Sequence, residues 1–189
     1  MDINKRDESK SLMQNVKQRF FAFRNGIVAD NLRKTGSTYR IIFGLNLPQL
    51  KEIATFIGEN RALADELWAN SSTRESRLLA PMLVDPNVFA LSDAKQWISD
   101  FSGNIEEIDI LCHSLLNKVS FRDELIDIYR ESGKACERYL ALRLAFGWLG
   151  GSKTVDARSL AEKEATHNDS LTKGIARQLY DDASYLLED

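Results

Sequence analysis

Cysteine, histidine and proline are scarce in this 189-residue chain, at two, two and three residues. Cys112 and Cys136 lie far apart with no CxxC spacing. That usage excludes a disulfide scaffold and points to the reduced cytoplasm. With His113 and His167 as the only histidines, no metal site is expected. Few prolines and only ten glycines leave room for long, uninterrupted helices. No run approaches the ~18 apolar residues of a membrane span, so no membrane partner is expected. The opening MDINKRDESKSL is charged and lacks the apolar segment of a secretory signal. A P-loop, a dinucleotide fingerprint and an HExxH motif are all missing, so no cofactor is expected.

What the chain does contain is ordinary for a globular protein, with 43% hydrophobic and 28% charged residues. Its length fits one domain over residues 1–189, with residues 1–8 as a mobile tail. The net charge of −3 argues weakly against nucleic acid, but it hides an asymmetry. Lys5, Arg6, Lys10, Lys17, Arg19, Arg24, Arg33, Lys34 and Arg40 crowd the first 40 residues against Asp2, Asp7, Glu8 and Asp30. The last nine residues hold Asp181, Asp182, Glu188 and Asp189 and no base. Such a basic end forms either a solvated mixed-charge surface or a local phosphate-binding patch.

Helical periodicity dominates, and no alternating strand pattern of convincing length occurs. Leu12, Val16, Phe20 and Phe23 share one stripe of a first helix, Ser9 to Arg24. A second helix spans Ile27 to Lys34, and Pro48 sits in the first turn of a third. There Leu50, Ile53, Ala54 and Ile57 follow i, i+3, i+4, i+7 spacing. Arg61 to Ala69 forms another. Ser72-Thr73-Arg74-Glu75 has the form of a capping box, and Pro81 is expected to kink or shorten the helix it opens. Ser92 precedes a helix containing Trp97. Asn104 with Glu107 opens Ile105 to Val119, and Ser120 with Asp123 opens Phe121 to Glu131. Helices over Lys134–Leu149, Asp156–Ala165 and Ser170–Leu187 complete the chain. The pattern predicts an all-α fold of about ten helices in stacked antiparallel pairs. From Ala62 onward these pairs recur at roughly 35–40 residues, the spacing of a HEAT-like α-solenoid.

Three segments carry a family resemblance. Ile42-Phe43-Gly44-Leu45-Asn46-Leu47-Pro48-Gln49-Leu50-Lys51 makes a turn into a helix. Leu63-Ala64-Asp65-Glu66-Leu67-Trp68 leads to a helix opening Arg74-Glu75-Ser76-Arg77. Tyr139-Leu140-Ala141-Leu142-Arg143-Leu144-Ala145 sets an arginine before small apolar residues. In this order they resemble the HEAT-like DNA alkylation repair family, the alkylpurine DNA glycosylases, over roughly Leu32 to Tyr180. The resemblance implies a concave, basic groove holding duplex DNA, damaged or branched. It also implies excision of N3- or N7-alkylated purines where the catalytic set is intact. A cationic alkylated base is a good leaving group, so one carboxylate and aromatic faces suffice to stabilise the charge developing on the sugar.

The chain departs from that pattern. The family's Trp-Asp-x-x-Asp helix falls on Ile108-Asp109-Ile110-Leu111-Cys112. Ile108 then replaces the tryptophan and Cys112 the catalytic carboxylate, unless a one-turn shift lets Asp109 act, with His113 beside it. The second tryptophan falls on Arg177. Arg143 alone keeps its implied role on phosphate, against snorkelling over apolar neighbours or pairing with Glu137. Arg74, Arg77, Lys118, Arg122, Lys153 and Lys173 lie near helix ends, where several could meet phosphate along one edge. Tyr39-Arg40 suits stacking plus phosphate contact. Trp68, Trp97 and Trp148 read as core. The expectation is therefore a DNA-binding protein with weak or absent excision, with Asp109 as the candidate catalytic residue. The alternative is a scaffold whose groove grips a protein partner. Nothing in the sequence speaks to oligomeric state.

Overall fold

The computed structural model describes residues 3–188, with side chains from Leu12 onward. The tail expected over residues 1–8 therefore lies outside the described side chains. Among the described residues are eleven α-helices and three short 3-10 turns. They gather into two compact units, Met1–Asp85 and Pro86–Asp189.

The first unit holds α1 (Ile3–Ala22), α2 (Gly26–Lys34), α3 (Leu47–Ile57), α4 (Arg61–Ala69) and α5 (Arg74–Leu79). Asparagine side chains start three of these helices by accepting orphan backbone N–H bonds. Asn25 caps α2 through Val28, Asn46 caps α3 through Gln49, and Asn60 caps α4 through Leu63. The Gln49 side chain returns a bond to the Asn46 N–H, closing a capping box. Pro81 acts as expected: α5 stops at Leu79 and tightens into a 3-10 turn, Ala80–Leu83. Leu50, Ile53, Leu67, Trp68 and Leu78 fill the core beneath.

The capping box expected at Ser72 is not formed. Thr73 is the residue before α5, and its side chain makes no cap bond. Glu75, wholly buried, reaches instead into the turn before α3. Its carboxylate accepts from the N–H groups of Phe43 (3.0 Å), Gly44 (2.9 Å) and Leu45 (3.3 Å). Arg74 Nη1 donates to the same carboxylate at 2.9 Å and to the Leu45 carbonyl at 3.0 Å. Three converging N–H groups form a concave anion site, and the chain fills it with its own carboxylate. Gly44 is needed there because its φ is +80°, and a Cβ would stand 2.2 Å from the Asn25 carbonyl oxygen.

The second unit holds α6 (Leu91–Ser99), α7 (Ile105–Ser114), α8 (Arg122–Tyr129), α9 (Ala135–Ala145), α10 (Thr154–Ala165) and α11 (Lys173–Glu188). Two expected long helices are shorter and end in 3-10 turns, Leu116–Lys118 after α7 and Phe146–Trp148 after α9. Such turns use the last carbonyls of a helix as it terminates. Within the unit α8 packs on α9, α7 on α9, and α10 on α11 as an antiparallel hairpin. Ile108, Leu111 and Cys112 of α7 and Leu140, Ala141 and Leu144 of α9 are buried. A buried ion pair ties α9 to the hairpin: Arg138 Nε meets Glu164 at 3.0 Å, and Arg138 Nη2 meets Asp169 at 3.1 Å. Thr172 donates to the same Glu164 carboxylate at 2.6 Å.

Candidate functional site

Two residues singled out in the sequence meet in the second unit. Asp109, on α7, and Arg143, on α9, form an ion pair with Nε to Oδ1 at 3.1 Å. Tyr139, one turn before Arg143 on α9, donates its hydroxyl to the same oxygen at 3.1 Å. The i, i+4 spacing of Tyr139 and Arg143 places both on the face turned to Asp109. That spacing was legible in the sequence, but Tyr139 as a partner of Asp109 was not, because nothing local fixes which α7 residue it meets.

Burial raises the Asp109 carboxyl above its ordinary range, against the pull of Arg143 and the Tyr139 bond, with Glu106 adding repulsion. Burial and the Asp109 charge together push the Tyr139 phenol up, so it serves as a donor rather than a base. Burial, then the Asp109 charge, likewise raise the Cys112 thiol, which stays neutral and unreactive. Ile108 and Cys112, which the sequence resemblance set at the family's tryptophan and carboxylate, are each 0% exposed. Both face the core, whereas Asp109 retains 34% and Arg143 36% side-chain exposure. The Arg143 guanidinium also lies 5.6 Å from the Phe146 ring centre. The arrangement holds a cation at the surface beside a carboxylate already engaged by two donors. His113 is exposed.

The remaining cations divide by burial. Arg40, Lys118, Lys173 and Arg177 are exposed. Arg74 and Arg77, expected near phosphate, are 5% and 2% exposed, so neither is offered to a ligand in solvent. Their helix is buried, with Arg74 bonded to Glu75 and Arg77 packed 4.4 Å from the Trp68 ring centre. Tyr39 is buried beside Ala29 and Ile42, so the Tyr39-Arg40 pair cannot stack on a base with both members. Trp68, Trp97 and Trp148 are buried, as expected.

A second cluster joins Asp123, expected as a helix cap, to Arg122 and Lys153, expected near phosphate, and to Trp148. The Asp123 carboxylate accepts from Trp148 Nε1 at 2.8 Å, Lys153 Nζ at 2.7 Å and Arg122 at 3.2 Å. The bond from Lys153, aided by Trp148 and Arg122, holds the Asp123 carboxyl down at about 2. A depressed folded pKa gives stability that is present above the unfolded value of ~3.9 and is lost as pH falls toward ~2. Asp123→Asn is therefore expected to flatten the melting temperature between about pH 4 and pH 2. An unchanged acid limb in the variant would show that the pairing contributes nothing.

A sequence comparison with curated proteins gives no significant match. A solved structure described as "A new family of proteins related to the HEAT-like repeat DNA glycosylases with affinity for branched DNA structures" matches with a TM-score of 0.76. The match covers 88% of this chain and 73% of that one at 19% identity, and it shows the HEAT-like helical fold expected from the sequence. The family described as "DNA alkylation repair enzyme" matches residues 16–179. The chain thus belongs to the DNA alkylation repair enzyme family.

Proposed function

We propose that this chain binds duplex DNA, damaged or branched, and excises alkylated purines weakly or not at all. The observation that carries the reading is the state of α7. Ile108 and Cys112, where the sequence resemblance sets the family's Trp and Asp, are buried, and the neighbouring carboxylate, Asp109, is held by Arg143 and Tyr139. A carboxylate that stabilises a sugar cation must face the nucleoside with its charge uncommitted. Here that charge is spent on Arg143. Arg143, although paired through Nε, stays 36% exposed and can still meet a phosphate, and the family and the branched-DNA affinity of the structural neighbour support a DNA ligand.

Two measurements test this. Affinity for duplex and four-way-junction DNA is expected to fall steeply as salt rises from ~50 to ~200 mM, because phosphate neutralisation releases counterions. Undetectable binding at low salt sinks the DNA reading and favours a protein partner. Release of 7-methylguanine and 3-methyladenine from alkylated DNA is expected to stay near background. Robust release that Asp109→Asn abolishes would show Asp109 to be a working catalytic carboxylate.

A further inference from the structure

One face of the α10–α11 hairpin carries an open cavity of about 430 Å³, within the size range of small-ligand sites. Ala161 and Ala176 form an apolar floor, and Tyr180, 39% exposed, stands along α11 as a wall. Lys173 and Arg177, both exposed, line the same space from the first two turns of α11. There the positive end of the helix dipole adds to their charge. Of the acidic groups of the lining, Glu164 and Asp169 are bonded to Arg138, and exposed Glu162 lies 3.9 Å from Arg158. Beside the lining, exposed Asp181 lies 3.7 Å from Arg177 and leaves that side chain 84% exposed. The cavity thus combines flat apolar surfaces, one aromatic face and a cationic edge.

We infer that this cavity receives a single unpaired nucleotide of bound DNA, its base against Tyr180 and the alanine floor, its phosphate at Lys173 and Arg177. The inference rests on the DNA-binding reading above. A base reaches such a cavity only out of the stack, and a bulge supplies one without the cost of unpairing. Stacking on a single aromatic ring corresponds to about a tenfold gain in affinity.

The test compares the full chain on a duplex carrying one bulged 2-aminopurine with the same duplex fully paired. The bulged DNA is expected to bind about tenfold tighter, with its 2-aminopurine fluorescence quenched in the complex. Tyr180→Ala, and Ala165→Phe on the exposed rim of the cavity, should each bring the preference within about twofold while paired-duplex affinity holds. A thermal melt of each variant shows that it has folded. Equal affinity for the two DNAs in the parent protein overturns the inference, as does a preference that survives both substitutions. Displacement of the bulged base by a glutamate–tyrosine copolymer that binds tighter also overturns it, in favour of an acidic peptide. Absence of binding to either DNA overturns the DNA reading itself.

Discussion

Replacing Glu75 with alanine is expected to destabilise the protein by ~3–5 kcal/mol, measured as a shift in the urea midpoint at unchanged slope. The carboxylate is fully buried and accepts three backbone N–H bonds from Phe43, Gly44 and Leu45, besides pairing with Arg74. Its removal leaves those donors without their acceptor and takes the paired carboxylate from a guanidinium that is 6% exposed. Desolvation is not recovered on truncation, so the loss exceeds that of an ordinary hydrogen bond. Glu75→Gln keeps one acceptor oxygen but turns an amide group toward N–H donors, so it should recover only part of the loss. A change under ~1 kcal/mol for Glu75→Ala would mean that water takes the place of the carboxylate.

Arg138→Ala is expected to cost a similar ~3–5 kcal/mol. Arg138 and Glu164 are 6% and 3% exposed, and the guanidinium also bonds the Ser132 carbonyl and Asp169. Truncation leaves Glu164 buried with Thr172 and, at 3.5 Å, His167 as side-chain partners. Glu164 and Asp169 also line the α10–α11 cleft, so Arg138 offsets part of the negative charge there. The double variant Arg138→Met with Glu164→Leu is expected to recover most of the stability, since a matched apolar pair removes both desolvation penalties. Failure of that recovery would place the stabilisation in hydrogen bonds to Ser132 and Thr172 rather than in the ion pair.

Much of this architecture was legible in the sequence. Apolar stripes such as Leu50 and Ile53 mark a buried helix face, and Asn25, Asn46 and Asn60 sit where helices must begin, because these signals act within a single turn. The order of family-like segments likewise pointed to the HEAT-like fold and the DNA alkylation repair family, and both hold. The site was legible only in part. Asp109 and Arg143 were named separately, but their contact, and the Tyr139 bond that completes it, join residues about thirty positions apart.

The acidic residues near helix starts show most plainly where local reading stops. Glu75, Glu107 and Asp123 each occupy a position from which a carboxylate can cap its own helix. Glu107 stays local, bonding Ser102 in the turn before its own helix, whereas Glu75 reaches to the turn before α3 and Asp123 to Trp148 and Lys153. The same holds for Arg74 and Arg77, whose charge suggested phosphate and whose helix lies in the core. A scarcity of proline, cysteine and histidine, with helical periodicity, determined by itself that the chain is all helix and carries no disulfide scaffold. Which charges remain at the surface was decided only by tertiary packing. A charged side chain goes to whichever donors or acceptors the fold has buried beside it, because an unmatched buried partner costs more free energy than an exposed cap gives.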